Sequence, residues 1–293
     1  MEQRSYEQRG YLLEDFRLFH LAGPIDERMD WHYHTFHKLI VHLSGQSAYG
    51  IEGRTYPLQP GDVVLIAQGC IHRPEAEPKA AHERMILYIS PDFLRRSSTP
   101  DCQLEEIFEQ AKSDFRFVVR LERSGKELMQ LLAALERTQN EDGYGRSLLA
   151  RSLLFEFLIG LRRRMQARDL EYVQEAVSDE KIAAILRYLT DHLTQELSID
   201  DLASRFYISK YHMMRRFRAE TGCTIHAYLI SKRLILAREL IAGGTPVTDA
   251  CYACGFHDYS AFSRAYRKQY GQAPSEALDA KQKNVFSGSR KNT

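Results

Sequence analysis

Ala253-Cys254-Gly255-Phe256-His257-Asp258-Tyr259-Ser260-Ala261-Phe262-Ser263-Arg264-Ala265-Tyr266-Arg267-Lys268-Gln269-Tyr270-Gly271-Gln272-Ala273-Pro274 decides the reading of this chain, because it echoes a stretch that precedes it. At an offset of 48 residues, Ile199, Leu202, Ala203, Phe206 and Ile208 fall on Val247, Ala250, Cys251, Cys254 and Phe256. At an offset of 49, Ser209, Met213, Arg215 and Phe217 fall on Asp258, Phe262, Arg264 and Tyr266. Ser198-Ile199-Asp200-Asp201 supplies an N-cap with an acidic first turn, Thr221-Gly222 a helix stop, and Gly243-Gly244-Thr245-Pro246 a stop and a restart. Each copy therefore predicts a short helix, a tight turn and a second helix, the pattern of a helix-turn-helix that offers its second helix to a major groove.

The helical wheel assigns faces. With Met213 and Phe217 buried, Tyr211 and Arg215 lie about 200° from Met213, on the open side, and Ser260 and Arg264 stand in the same relation to Phe262. An outward arginine can fork onto guanine O6 and N7. A lone exposed arginine is ordinary; two in the same phase of two copies are not. Between the copies, Ile225, Leu229, Leu236 and Leu240 predict one helix, about 27 Å long with its apolar residues on one face, close to the roughly 34 Å of one B-DNA turn. Cys251 and Cys254 have a spacing seen in zinc and redox sites, but no second pair stands at ligand spacing and both fall on the buried face, so they are read as core.

These residues resemble the AraC/XylS transcription regulators. The quoted stretch follows that family's signature and residues 209–222 show the matching pattern, with one departure at Ala261, where the family often carries an aromatic residue. The resemblance implies base-facing positions at Tyr211, Met214 and Arg215 in the first copy and Tyr259, Ser260 and Arg264 in the second, with Lys210, Arg267 and Lys268 nearer phosphates.

The rest of the chain is consistent with that reading. Its 293 residues suggest about two domains. The formal charge of +1 is uneven: residues 1–177 carry 23 Lys+Arg against 27 Asp+Glu, and residues 178–293 carry 17 against 12, giving −4 and +5. A 44% apolar, 27% charged composition argues against a disordered chain. No apolar run reaches the roughly 20 residues of a membrane span, and Met1-Glu2-Gln3-Arg4 does not open a signal peptide. Five scattered cysteines (Cys70, Cys102, Cys223, Cys251, Cys254) read as free thiols of a reducing compartment, so the expected location is the cytoplasm.

In the first half, apolar runs at 16–21, 39–43, 48–51, 62–66, 85–89 and 115–121 alternate with turn signals, which predicts an antiparallel sandwich or barrel. After Ser124 the period becomes helical: Leu128, Leu131, Leu132 and Leu135 mark one helix, and Leu149, Leu153, Phe157 and Leu161 a second, whose broad apolar stripe is read as a dimer contact. His32-Tyr33-His34 places two imidazoles on one side of a strand, and with His72 resembles the two cupin motifs, in which three histidines and a glutamate hold a metal. Here the glutamate position is Lys38 and the usual proline is Ala67. An ammonium opposes a dication, so the expectation is no metal and no cofactor. The histidines would instead serve an effector pocket lined by His32, His34, Lys38, His42, His72 and Tyr88.

The expected molecule is α+β. A cupin-like β-barrel spans 1–122, a helical dimerisation segment with linker 123–177, an all-α domain with two helix-turn-helix units 178–280, and a disordered tail 281–293. The expected function is that of a sequence-specific DNA-binding transcription regulator, not an enzyme. By the resemblance it is an activator, homodimeric, contacting RNA polymerase and controlled by a small effector such as a sugar or sugar acid. The alternative is a metal-dependent cupin enzyme joined to a DNA-binding domain, against which Lys38 counts.

Overall fold

The computed structural model describes residues 6–23, 29–75, 82–121, 125–174 and 179–276. The tail 281–293, expected to be disordered, lies outside them. The chain divides into two compact units, Arg9–Ser178 and Met1–Gln8 with Asp179–Thr293. Residues 6–8, placed by the sequence at the head of the β domain, thus group with the helical one, and they end in the short strand β1 (Glu7–Gln8).

The unit Arg9–Ser178 is built on two antiparallel sheets. Strands β2 (Phe16–Gly23), β4 (His37–Ser44), β7 (Asp62–Ile66), β9 (His82–Ile89), β10 (Val118–Arg120) and β11 (Glu171–Tyr172) form one, in the order β11-β10-β7-β4-β9-β2. In the other, β3 (His32–Tyr33), β8 (His72–Glu75), β5 (Ser47–Ile51) and β6 (Arg54–Leu58) are neighbours in that order. Val63, Val64, Leu65 and Ile66 are all buried, as a strand covered on both faces requires, and they share one core with Tyr49, Ile51 and Tyr56 of the other sheet. Asp62, fully buried at the start of β7, accepts two bonds from the Arg120 guanidinium, at 2.8 and 3.0 Å. The segment 123–177, read as helical with a linker, also contributes β11, where Tyr172 and Glu171 pair with Val119 and Arg120.

Four helices complete this core: α1 (Pro91–Ser97), α2 (Glu106–Asp114), α3 (Gly125–Asn140) and α4 (Arg146–Ala167). The first two were not read from the sequence, although Ser90 caps α1 and Pro91 occupies its first turn. The stripe of α4 needs correction as a dimer contact. Phe157 and Leu161 are fully buried within the protomer and Leu153 is half-buried, while the exposed apolar groups are Leu148 and Leu149 in the first turn.

The helical unit contains α5 (Glu180–Asp191), α6 (Ile199–Arg205), α7 (Lys210–Thr221), α8 (Ile225–Ala242), α9 (Val247–Ala253) and α10 (Tyr259–Tyr270). The repeat is carried into the backbone: α6 and α9 each have 7 residues, α7 and α10 each have 12. Ile208 N bonds Ala203 O as Phe256 N bonds Cys251 O. Helix α8 differs from its expected single apolar face, with Tyr228, Leu229, Lys232, Leu234, Ile235, Ala237 and Ile241 buried around it, because α7, α9 and α10 all pack on it. Tyr6 joins this unit, donating to Thr221 O at 2.9 Å and meeting Tyr228 edge-on at 6.4 Å.

Candidate nucleic-acid interface and effector site

Capping sets the start of both recognition helices. The Ser209 side chain accepts from His212 N at α7, and Asp258 accepts from Ser260 N and Ala261 N at α10. Both end on a left-handed glycine, Gly222 and Gly271. Met213 and Phe217 in α7, and Phe262 and Tyr266 in α10, are fully buried and fix the rotation of each helix. That rotation leaves Lys210, Tyr211, Met214, Arg215, Tyr259, Ser260, Arg264, Arg267 and Lys268 all exposed. Lys210 pairs with Asp200 at the surface, an interaction too weak to hold it from a phosphate.

The two tight turns differ in one informative way. Tyr207 is left-handed at φ 49° and 89% exposed, while its counterpart Gly255 has φ 90° and lies against the Thr194 backbone. Tyr207 was missed in the sequence because a turn residue has no place in a helical wheel. It precedes α7 by three residues. Cys251 and Cys254 are both buried and reduced, and burial pushes the Cys254 thiol up to about 12, so this pair is packing.

In the β unit, His32 and His72 are direct cross-strand partners on β3 and β8, and His34 follows two residues after His32. The ring centroids lie 4.5 to 5.1 Å apart. Each Nδ1 faces a backbone carbonyl: His32 that of Asp30 at 2.8 Å, His72 that of Cys70 at 2.9 Å, and His34 that of Arg9. A carbonyl only accepts, so Nδ1 carries the hydrogen and Nε2 the lone pair in all three rings. Burial holds the imidazoles neutral, with pKa values down to about 4 for His32 and about 2 for His34, and well below the ordinary value for His72.

Lys38 is buried beside them. Its Nζ lies 3.5 Å from the Tyr49 hydroxyl, 5.7 Å from that ring's centroid and 6.0 Å from that of Tyr88. Burial, with repulsion from Arg84, pulls its pKa down to about 7. Much of the ammonium charge that the sequence set against a metal is therefore absent near neutrality. His42, expected in the pocket, turns elsewhere: Nε2 meets Gly45 O at 2.9 Å and Nδ1 meets Ser47 Oγ at 3.4 Å, which makes it a support of the turn after β4. Tyr49 and Phe36 lie against the histidines, Tyr49 facing His72 and Phe36 stacking on His34 with ring centroids 4.6 Å apart. Neither was singled out in the sequence.

Comparison with known proteins agrees with both halves. The family model described as an AraC-like ligand binding domain matches residues 18–158, and that of a helix-turn-helix domain matches residues 202–280. The chain belongs to the AraC family of transcription regulators. As a member of that family it is a DNA-binding regulator controlled by an effector. The HTH-type transcriptional activator RhaS of Enterobacter sp. (strain 638) is 28% identical over 249 residues, 84% of this chain and 86% of that protein. RhaS of Escherichia coli (strain K12 / DH10B) is 26% identical over 245 residues, 83% of this chain and 85% of that one. ToxT from Vibrio cholerae is 15% identical and covers 90% of this chain and 98% of its own, with a TM-score of 0.36, a likeness too weak to bear on this AraC-family chain. No helix among the described residues is long and apolar enough to cross a membrane.

Proposed function

We propose that this regulator is a cytoplasmic transcription activator that seats α7 and α10 in successive major grooves and works as a homodimer in contact with RNA polymerase. The observation that carries the reading is the pair of equal recognition helices, each with its arginine, Arg215 or Arg264, on the exposed face at the same phase. Arg215 and Arg264 read guanines, Tyr211, Met214, Tyr259 and Ser260 meet neighbouring base edges, and Lys210, Arg267 and Lys268 meet phosphates. The RhaS relatives, named as activators, support the direction of control. Exposed Tyr144, Leu148 and Leu149 at the start of α4 support an interface with a second copy.

The effector is held at His32, His34, Lys38, His72 and Tyr88, with Tyr49 added and His42 withdrawn. A weakly basic amine beside a buried imidazole cluster suits a hydroxylated or acidic small molecule such as a sugar or sugar acid. The test selects bound fragments from a random DNA pool with the purified chain, then measures fluorescence anisotropy on them across a set of sugars and sugar acids. Tight, sequence-dependent binding that one such compound shifts supports the reading. Equal affinity for selected and random DNA would overturn it.

A further inference from the structure

The three histidine rings leave an acceptor problem that hydrogen bonding does not solve. Nε2 of His32, His34 and His72 is buried and without a partner in each case, and an unmet buried acceptor costs about 1–3 kcal/mol. One ligand atom from each ring, taken together, lies within 4.8 Å of the other two. A water has only two hydrogens and leaves one of three converging lone pairs unmet. A Lewis acid meets all three at once. With metal–nitrogen bonds of about 2.0–2.1 Å, tetrahedral geometry sets the nitrogens about 3.4 Å apart, so the rings need close by only a little over an ångström.

We propose that His32, His34 and His72 bind one divalent transition-metal ion of the zinc class through their Nε2 atoms. The carbonyls of Asp30, Arg9 and Cys70 supply the outer shell, since each takes the Nδ1–H of one ring and fixes the tautomer that aims Nε2 inward. Phe36 stacked on His34 limits rotation of that ring. The carboxylate that joins three histidines in cupin enzymes is replaced by Lys38, so the donor set is three neutral nitrogens. Both charges of the ion are left uncompensated, and its remaining positions take water, hydroxide or an anionic oxygen donor.

The experiment strips the purified full chain with a chelator, removes the chelator, and titrates cobalt(II) chloride followed by visible absorption and elemental analysis. The expected result is one equivalent with a ligand-field band of imidazole-bound cobalt. Losing a direct ligand should weaken binding at least as much as the roughly hundredfold that loss of an outer-shell partner can cost, so His34→Gln and His72→Gln should each fall by that factor or more. His42→Gln should bind as the unaltered chain does. Because the ligand variants could misfold, proton NMR of the unaltered cobalt protein provides a second reading, with three paramagnetically shifted, exchangeable N–H resonances expected, one per Nδ1–H. Absent stoichiometric uptake, thiolate charge-transfer bands, or fewer than three such resonances would overturn the assignment. DNA and effector play no part in the titration, so its failure would leave the regulator reading intact.

Discussion

His20 illustrates how a single side chain ties the sheet to a helix. Its Nε2 meets Glu83 and its Nδ1 meets Glu136, both at 2.8 Å. Partial burial lowers its pKa, but the bonds and charges of the two glutamates outweigh this and raise it above the ordinary 6.5. A raised folded value means stability that is fully present below pH 6.5 and lost as pH rises through the folded value. His20→Gln should therefore destabilise the chain more at pH 6 than at pH 8 in urea unfolding, modestly, since the site is 31% exposed. Phe157 is the opposite case. Fully buried in the core of the β unit, it should tolerate no charge, and Phe157→Glu should cost more than about 4 kcal/mol and abolish cooperative melting.

Among elements, the turns of the two helix-turn-helix units carry the sharpest constraint. A Cβ at Gly255 would come within 2.8 Å of Thr194 O at φ 90°, whereas one at Gly271 meets nothing within 4 Å. Gly271→Ala should cost about 1 kcal/mol from the left-handed backbone alone, and Gly255→Ala distinctly more, compared by thermal unfolding. The paired helices were legible in the sequence because stop signals and buried positions such as Met213 and Phe262 recur at fixed offsets. His32 and His34 were legible as a pair because strand alternation puts i and i+2 on one side, and His72 joined them through the resemblance to the cupin motifs. Other features were not. The side on which Phe157 and Leu161 would be buried depends on which neighbour covers α4, and periodicity measures only the width of the stripe. The short helices α1 and α2 offered too few turns for a period to emerge, and Tyr6 docks on Thr221 and Tyr228 across more than two hundred residues, beyond any local pattern.

At the scale of the whole molecule, the proposed regulator carries an effector-binding β unit and a helical unit with two recognition helices. The proposed dimer contact falls on exposed Leu148 and Leu149 rather than on buried Phe157, so the unaltered chain should be a dimer at micromolar concentration by light scattering and Leu148→Glu with Leu149→Glu a folded monomer. A dimer still present in that double variant would move the contact elsewhere. In the proposed complex Arg215 and Arg264 read separate bases from α7 and α10. This reading is tested most directly by sequencing the DNA fragments bound by the unaltered chain, Arg215→Ala and Arg264→Ala. Two blocks of base preference about one helical turn apart are expected, each variant losing a different block at a cost of about 1–3 kcal/mol in specific binding. Unchanged preferences and affinities in both variants would contradict it.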